Sequence, residues 1–184
     1  MSLVAYLVGL LLGGMVLGTI ISLLGLAVRL PEIGRSVAEI LFVIMLVHAI
    51  LALREIGLLN LPLPQSHWQV KRSWARTLDP RIAALLYGLI LGFGVFTRIP
   101  TGLFYALVIW LASYGDVRFG GIVFLLVGLG RAIPVMILAN TTTNGEQMLR
   151  WSTVLHRWFP VVRLLNSLIL AGVTGWFLAA VIEL

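Results

Sequence analysis

Two arginines stand in stretches that are otherwise hydrocarbon. Arg98 lies in Phe96-Thr97-Arg98-Ile99-Pro100-Thr101-Gly102 and Arg131 in Gly128-Leu129-Gly130-Arg131-Ala132-Ile133-Pro134, so each shortly precedes a helix-breaking proline, Pro100 or Pro134. A guanidinium at mid-bilayer costs at least roughly 2.5–3.5 kcal/mol on insertion scales and is rarely left facing lipid. Three chemistries suit such a group. It can cap backbone carbonyls that a proline leaves without a donor, a task for which its fork of five N–H groups is well shaped. It can bind an anion, a lipid headgroup or an anionic cofactor, as broken helices near the midplane of transporters do. It can also meet a carboxylate supplied by a partner subunit. The chain's own acids, Glu32, Glu39, Glu55, Asp79, Asp116, Glu146 and Glu183, all fall near segment ends or in loops and offer no evident partner inside the bilayer.

His48 is the one polar group inside its apolar segment. With no second ligand three or four residues on, it reads as a packed, hydrogen-bonded ring before it reads as a metal or haem ligand. His67 and His156 lie in other regions, and the sequence has no Ser/His/Asp constellation, no His-Glu-x-x-His, no phosphate-cradling glycine loop after a strand and no cysteine. The expectation is therefore a non-enzymatic protein with no metal and no cofactor, whose candidate functional residues are Arg98, Pro100, Arg131, Pro134 and His48.

The elements that must position these groups follow from composition. Of 184 residues 60% are hydrophobic and 11% charged, with mean hydropathy +1.07. A soluble domain carries about 25% charged residues, so this chain has too little polar surface for a soluble globule. It reads as an all-α polytopic membrane helix bundle, a single integral membrane domain over residues 1–184. The net charge of +6 arises from 12 Arg and one Lys placed at segment ends. That placement argues against a nucleic-acid partner and for topology-setting charges. The lack of cysteine excludes disulfides, iron–sulfur clusters and thiol catalysis within the chain.

Five spans are expected, at about 3–28, 37–57, 82–113, 117–139 and 164–182, with interfacial segments at 60–81 and 145–160. The first lacks the basic start and short apolar core of a cleavable signal. Gly9, Gly13, Gly14, Gly18 and Gly25 line it, giving G-x-x-x-G spacings that let a neighbouring helix approach closely. They make it the expected surface for self-association or for other membrane subunits. The loop at 60–81 combines Trp68 and Trp74 with Lys71, Arg72, Arg76 and Arg81, the composition of a membrane interface. Gln147 to Phe159 is amphipathic and reads as an interfacial helix closed by Pro160.

The third segment is too long. Residues 82–115 are apolar apart from Arg98, and a straight helix of that length measures about 50 Å against roughly 30 Å of hydrocarbon. It must be two spans with a tight turn, one kinked span, or a re-entrant break. Charge counting separates these. With five spans, eight basic loop residues fall on the N-terminal side and three on the other; with six, the split is six against six. The positive-inside rule favours five, with a long Pro-broken third helix, the N-terminus cytoplasmic and the C-terminus outside the inner membrane.

The order of these features resembles a known family. A helix carrying His48-Ala-Ile-Leu-Ala-Leu precedes a basic loop. A glycine-rich helix then breaks at Gly92-Phe-Gly-Val-Phe-Thr-Arg-Ile-Pro-Thr-Gly102. A Gly128-Leu-Gly-Arg-Ala-Ile-Pro134 helix, an amphipathic stretch and a last span follow. Over residues 37–184 this is similar to the second half of the cytochrome c biogenesis CcdA family and the membrane domain of the disulfide-reductant transporter DsbD. That resemblance implies two inverted three-helix repeats, each with a cysteine beside a proline in a broken helix, passing reducing equivalents across the membrane. Here the thiol position is Ile99, in Thr97-Arg98-Ile99, and the first helix of the first repeat is absent, so the relay is unavailable. The expected role is an accessory or structural subunit of a membrane complex, with lipid as its medium. The alternative is a small anion permease with Arg98 and Arg131 lining the path.

Overall fold

The computed structural model describes residues 2–28, 37–64, 74–94, 101–141 and 145–182. These form the helices α1 (Leu3–Val28), α2 (Val37–Glu55), α3 (Trp74–Thr77), α4 (Pro80–Phe93), α5 (Gly102–Tyr114), α6 (Val117–Thr141) and α7 (Gly145–Ile182). Among the described residues three stretches are long and apolar enough to cross a membrane: Leu3–Val28, Val117–Thr141 and, within α7, His156–Ala179. Their exposed residues are largely hydrocarbon, among them Ile122, Leu126 and Ile133 on α6 and Leu164, Leu168 and Trp176 on α7. Apolar faces of this extent are unfavourable in water and matched by lipid. The all-helical class expected from composition is the class observed.

Local signals set several ends. Asp79 caps α4, its carboxylate accepting the Arg81 N–H at 2.8 Å, and Pro80 occupies the first turn, where no N–H is needed. Gly94 stops the helix at φ 70°. α5 ends at Gly115, left-handed at φ 69°, and Asp116 at once caps α6 by accepting the Phe119 N–H at 3.0 Å. The long third segment is thus two short helices of 14 and 13 residues. Each is too short to cross roughly 30 Å of hydrocarbon alone.

Two prolines behave otherwise than expected. Pro134 does not break α6, and Pro160 does not close an interfacial helix, since α7 runs through it for 38 residues. A proline inside a helix forfeits one bond, here to the carbonyl of Gly130 or His156, and crowds that carbonyl. Ending a helix in an apolar medium would orphan several backbone groups at once, which is worse.

The chain forms two compact units. The first comprises Met1–Ile21, Pro64–Ile99 and Asp116–Thr153; the second comprises Ser22–Leu63, Pro100–Gly115 and Val154–Leu184. In the first, the buried stripe of α1 is Tyr6, Gly9, Leu10, Gly13, Gly14, Leu17 and Gly18. Gly9 and Gly13 abut the backbone of Leu85 and Leu89, while Gly88 and Gly92 abut that of Tyr6 and Leu10, so α1 and α4 run parallel in backbone contact. Gly14 and Gly18 meet Phe124 and Gly120 on an antiparallel α6. The close approach expected of these glycines occurs within the chain. Tyr6, Leu10, Ala84 and Ala132 form one buried cluster of this unit. In the second unit Leu51, Ala52, Ala106 and Leu170 bring α2, α5 and α7 together.

Candidate functional site

The second unit holds a carboxylate that is fully buried. α2 ends in Leu53-Arg54-Glu55-Ile56-Gly57-Leu58, with Gly57 at φ 86°. The Gly57 N–H donates to the Arg54 carbonyl at 3.0 Å and the Leu58 N–H to the Leu53 carbonyl at 3.0 Å, a Schellman closure. The closure leaves Glu55 as the last helical residue, its side chain 0% exposed. Glu55 Oε1 accepts from Arg54 Nη1 at 2.7 Å and from the Gly102 backbone N–H at 2.7 Å. Arg163 on α7 sets Nε 3.5 Å from Glu55 Oε2 and donates through Nη2 to the Arg54 carbonyl at 2.9 Å. Arg54 Nε reaches the Leu61 carbonyl at 2.9 Å.

Opposing electrostatic features surround the buried carboxylate. At the C-terminal end of its own helix Glu55 meets the negative pole of the α2 dipole, which is unfavourable. Against that stand two guanidiniums and the positive pole of α5. Thr101, the residue at the α5 N-cap, makes no side-chain cap bond, so Glu55 supplies the cap from another helix. Gly102 is what allows this. A Cβ there would lie 3.2 Å from Glu55 Oε1 and 3.3 Å from Leu51 Cβ. Removing one partner of a buried ion pair is far more costly than the pair's net worth.

One and two turns back along the same face of α2 stand Leu51, Ala52 and His48. The Ser167 hydroxyl donates to the Ala52 carbonyl at 3.2 Å, tying α7 to α2. His48 is buried, its Nδ1 2.8 Å from the Ile44 carbonyl and its ring 5.7 Å from that of Phe177. It lines a cavity of about 330 Å³ between α2, α5 and α7. This is the packed, hydrogen-bonded histidine expected from sequence. Among the described residues no group of His, Asp or Glu side chains is arranged to hold a metal.

The other sequence candidates are spread out. Arg98 and Pro100 lie outside the described residues. Arg131 is half-buried on α6 in the first unit, where it interacts electrostatically with Tyr6. Pro134 is exposed on the same helix. His48 belongs to the second unit. Glu55, Arg54, Arg163 and Gly102 were not among the candidates. The signals that point to them are an acid seven residues after His48 on one helical face and a glycine opening a helix.

No protein-family model, no curated protein and no solved structure matches the chain.

Proposed function

We propose that the chain is a non-enzymatic inner-membrane protein of about five spans, an accessory or structural subunit of a larger membrane complex and a cysteine-free relative of the thiol-redox transporter fold. The observation that supports this reading is the Glu55 cluster. The buried carboxylate turns its oxygens to donors of its own chain, Arg54, Gly102 and Arg163. A carboxylate so engaged holds α2, α5 and α7 in register. The eight-to-three asymmetry of basic loop residues supports an N-terminus inside and a C-terminus outside.

Contact with other subunits falls to the exposed apolar faces of α6 and α7. There Gly130, Gly172 and Gly175 have nothing within 4 Å, whereas the α1 glycines meet backbone of the chain itself. Purification in mild detergent tests the reading. Stoichiometric co-purifying subunits are expected. A chain that purifies alone and carries a labelled anion in vesicles, losing that uptake on Arg131→Gln, would overturn it in favour of a permease.

A further inference from the structure

We infer that the His48 cavity is a binding site for a lipid-soluble aromatic ring bearing a hydroxyl group, a phenol or hydroquinone head group. The ring walls are Trp110, Trp176, Phe177 and His48 itself, with Ala106 and Leu170 completing the floor. Trp176 and Phe177 pack against each other with centroids 5.1 Å apart, so this wall is aromatic. The volume of about 330 Å³ stands at the small end of ligand sites, roughly 300–1,000 Å³. It suits one ring with a short substituent and is too small for a tetrapyrrole.

The route of entry is written in the exposure of the lining. His48 and Leu170, at 4% and 0%, form the floor, while Trp176 and Ile169, at 65% and 50%, form the rim. That rim lies on the stretch of α7 apolar enough to cross a membrane, and in a bilayer such a mouth faces hydrocarbon and admits a lipid-soluble molecule.

The polarity of the guest follows from one hydrogen bond. A carbonyl only accepts, so the His48 Nδ1 facing the Ile44 carbonyl carries the proton. A neutral imidazole in that tautomer keeps a lone pair on Nε2. All the other lining side chains are hydrocarbon apart from the two indoles. The guest that completes this set donates one hydrogen bond to Nε2 and is otherwise apolar. A hydroxyl on an aromatic ring does so. A quinone or an aryl ether, which can only accept, makes no hydrogen bond with Nε2.

The test uses the full chain in mild detergent, with a decyl-substituted 1,4-hydroquinone, its quinone and its dimethyl ether as probes. The absence of cysteine allows a reductant to keep the hydroquinone reduced without altering the protein. Quenching of tryptophan fluorescence by Trp110 and Trp176 reports occupancy. Saturable binding of the hydroquinone is expected, about tenfold tighter than the dimethyl ether, as one hydrogen bond supplies. His48→Phe should remove that preference, and Leu107→Trp, which fills the cavity, should weaken all three probes. Equal binding of hydroquinone and ether by the unaltered chain, or only unsaturable partitioning, would overturn the assignment in favour of a space filled by lipid tails. A preference that survives in folded His48→Phe would overturn the role of the imidazole.

Discussion

Glu55 accepts the Gly102 amide proton at 2.7 Å across 47 residues of sequence, so a side chain at the end of α2 caps α5. The same oxygen takes Arg54 Nη1 at 2.7 Å, and the second oxygen faces Arg163. One acid therefore ties three helices, and its removal should be felt in all of them.

Glu55→Ala leaves two guanidiniums without their counter-charge and a helix N-terminus without its cap. A loss of about 3–5 kcal/mol is expected, the range for breaking a buried pair. Glu55→Gln keeps an acceptor for Gly102 but no charge, and should lose less. Reversible unfolding in mixed micelles measures both. Equal, small losses would show that the carboxylate is solvated.

The two ion pairs differ in worth. Arg54 approaches Glu55 at 2.7 Å with 16% of its side chain exposed, Arg163 at 3.5 Å with 35%. Double-mutant cycles should give a larger coupling for Glu55 with Arg54 than with Arg163, inside the range of about 0.5–3 kcal/mol seen for contacting residues. Arg163→Lys should recover little, because one ammonium cannot copy a fork that serves both Glu55 and the Arg54 carbonyl.

The glycines divide into two classes. At Gly13 and Gly88 a Cβ would overlap the backbone of the facing helix, whereas Gly130, Gly172 and Gly175 have open space. Gly13→Ala and Gly88→Ala should force α1 and α4 apart and cost at least about 2 kcal/mol, in the manner of overpacked cores. Gly130→Ala and Gly172→Ala should be neutral or gain up to about 1 kcal/mol of helix propensity. The same unfolding assay reads both sets. A loss at Gly172→Ala would mark that face as an interface with another subunit.

Topology is testable separately. Reporter fusions should place the N-terminus in the cytoplasm and the C-terminus outside, and a tag inserted after Tyr114 should report the outside. A cytoplasmic C-terminus would require an even number of crossings and defeat the five-span reading.

Much of this was legible because it is local. The glycine spacing of α1 and the excess length of residues 82–115 are short-range patterns. What escaped is non-local or set by the medium. Glu55 reads as an ordinary acid at a segment end, and nothing near it in sequence announces Gly102 or Arg163. Pro134 and Pro160 read as breakers by soluble-helix rules, yet an apolar surrounding penalises a broken helix more than a single lost bond. The cavity beside His48 was invisible for the same reason as the cluster, since it is assembled from three separated helices.

The most direct measurement is hydrogen exchange at the Gly102 amide, read by NMR on the full chain in micelles. At the first position of a helix this N–H has no carbonyl four residues back and is ordinarily unprotected. With Glu55 as its cap it should exchange slowly, and Glu55→Ala should speed it by at least about tenfold, the equivalent of one hydrogen bond, while Phe124 in the core of α6 keeps its rate. A Gly102 amide that exchanges freely in the unaltered chain, or at the same rate in Glu55→Ala, would contradict the account.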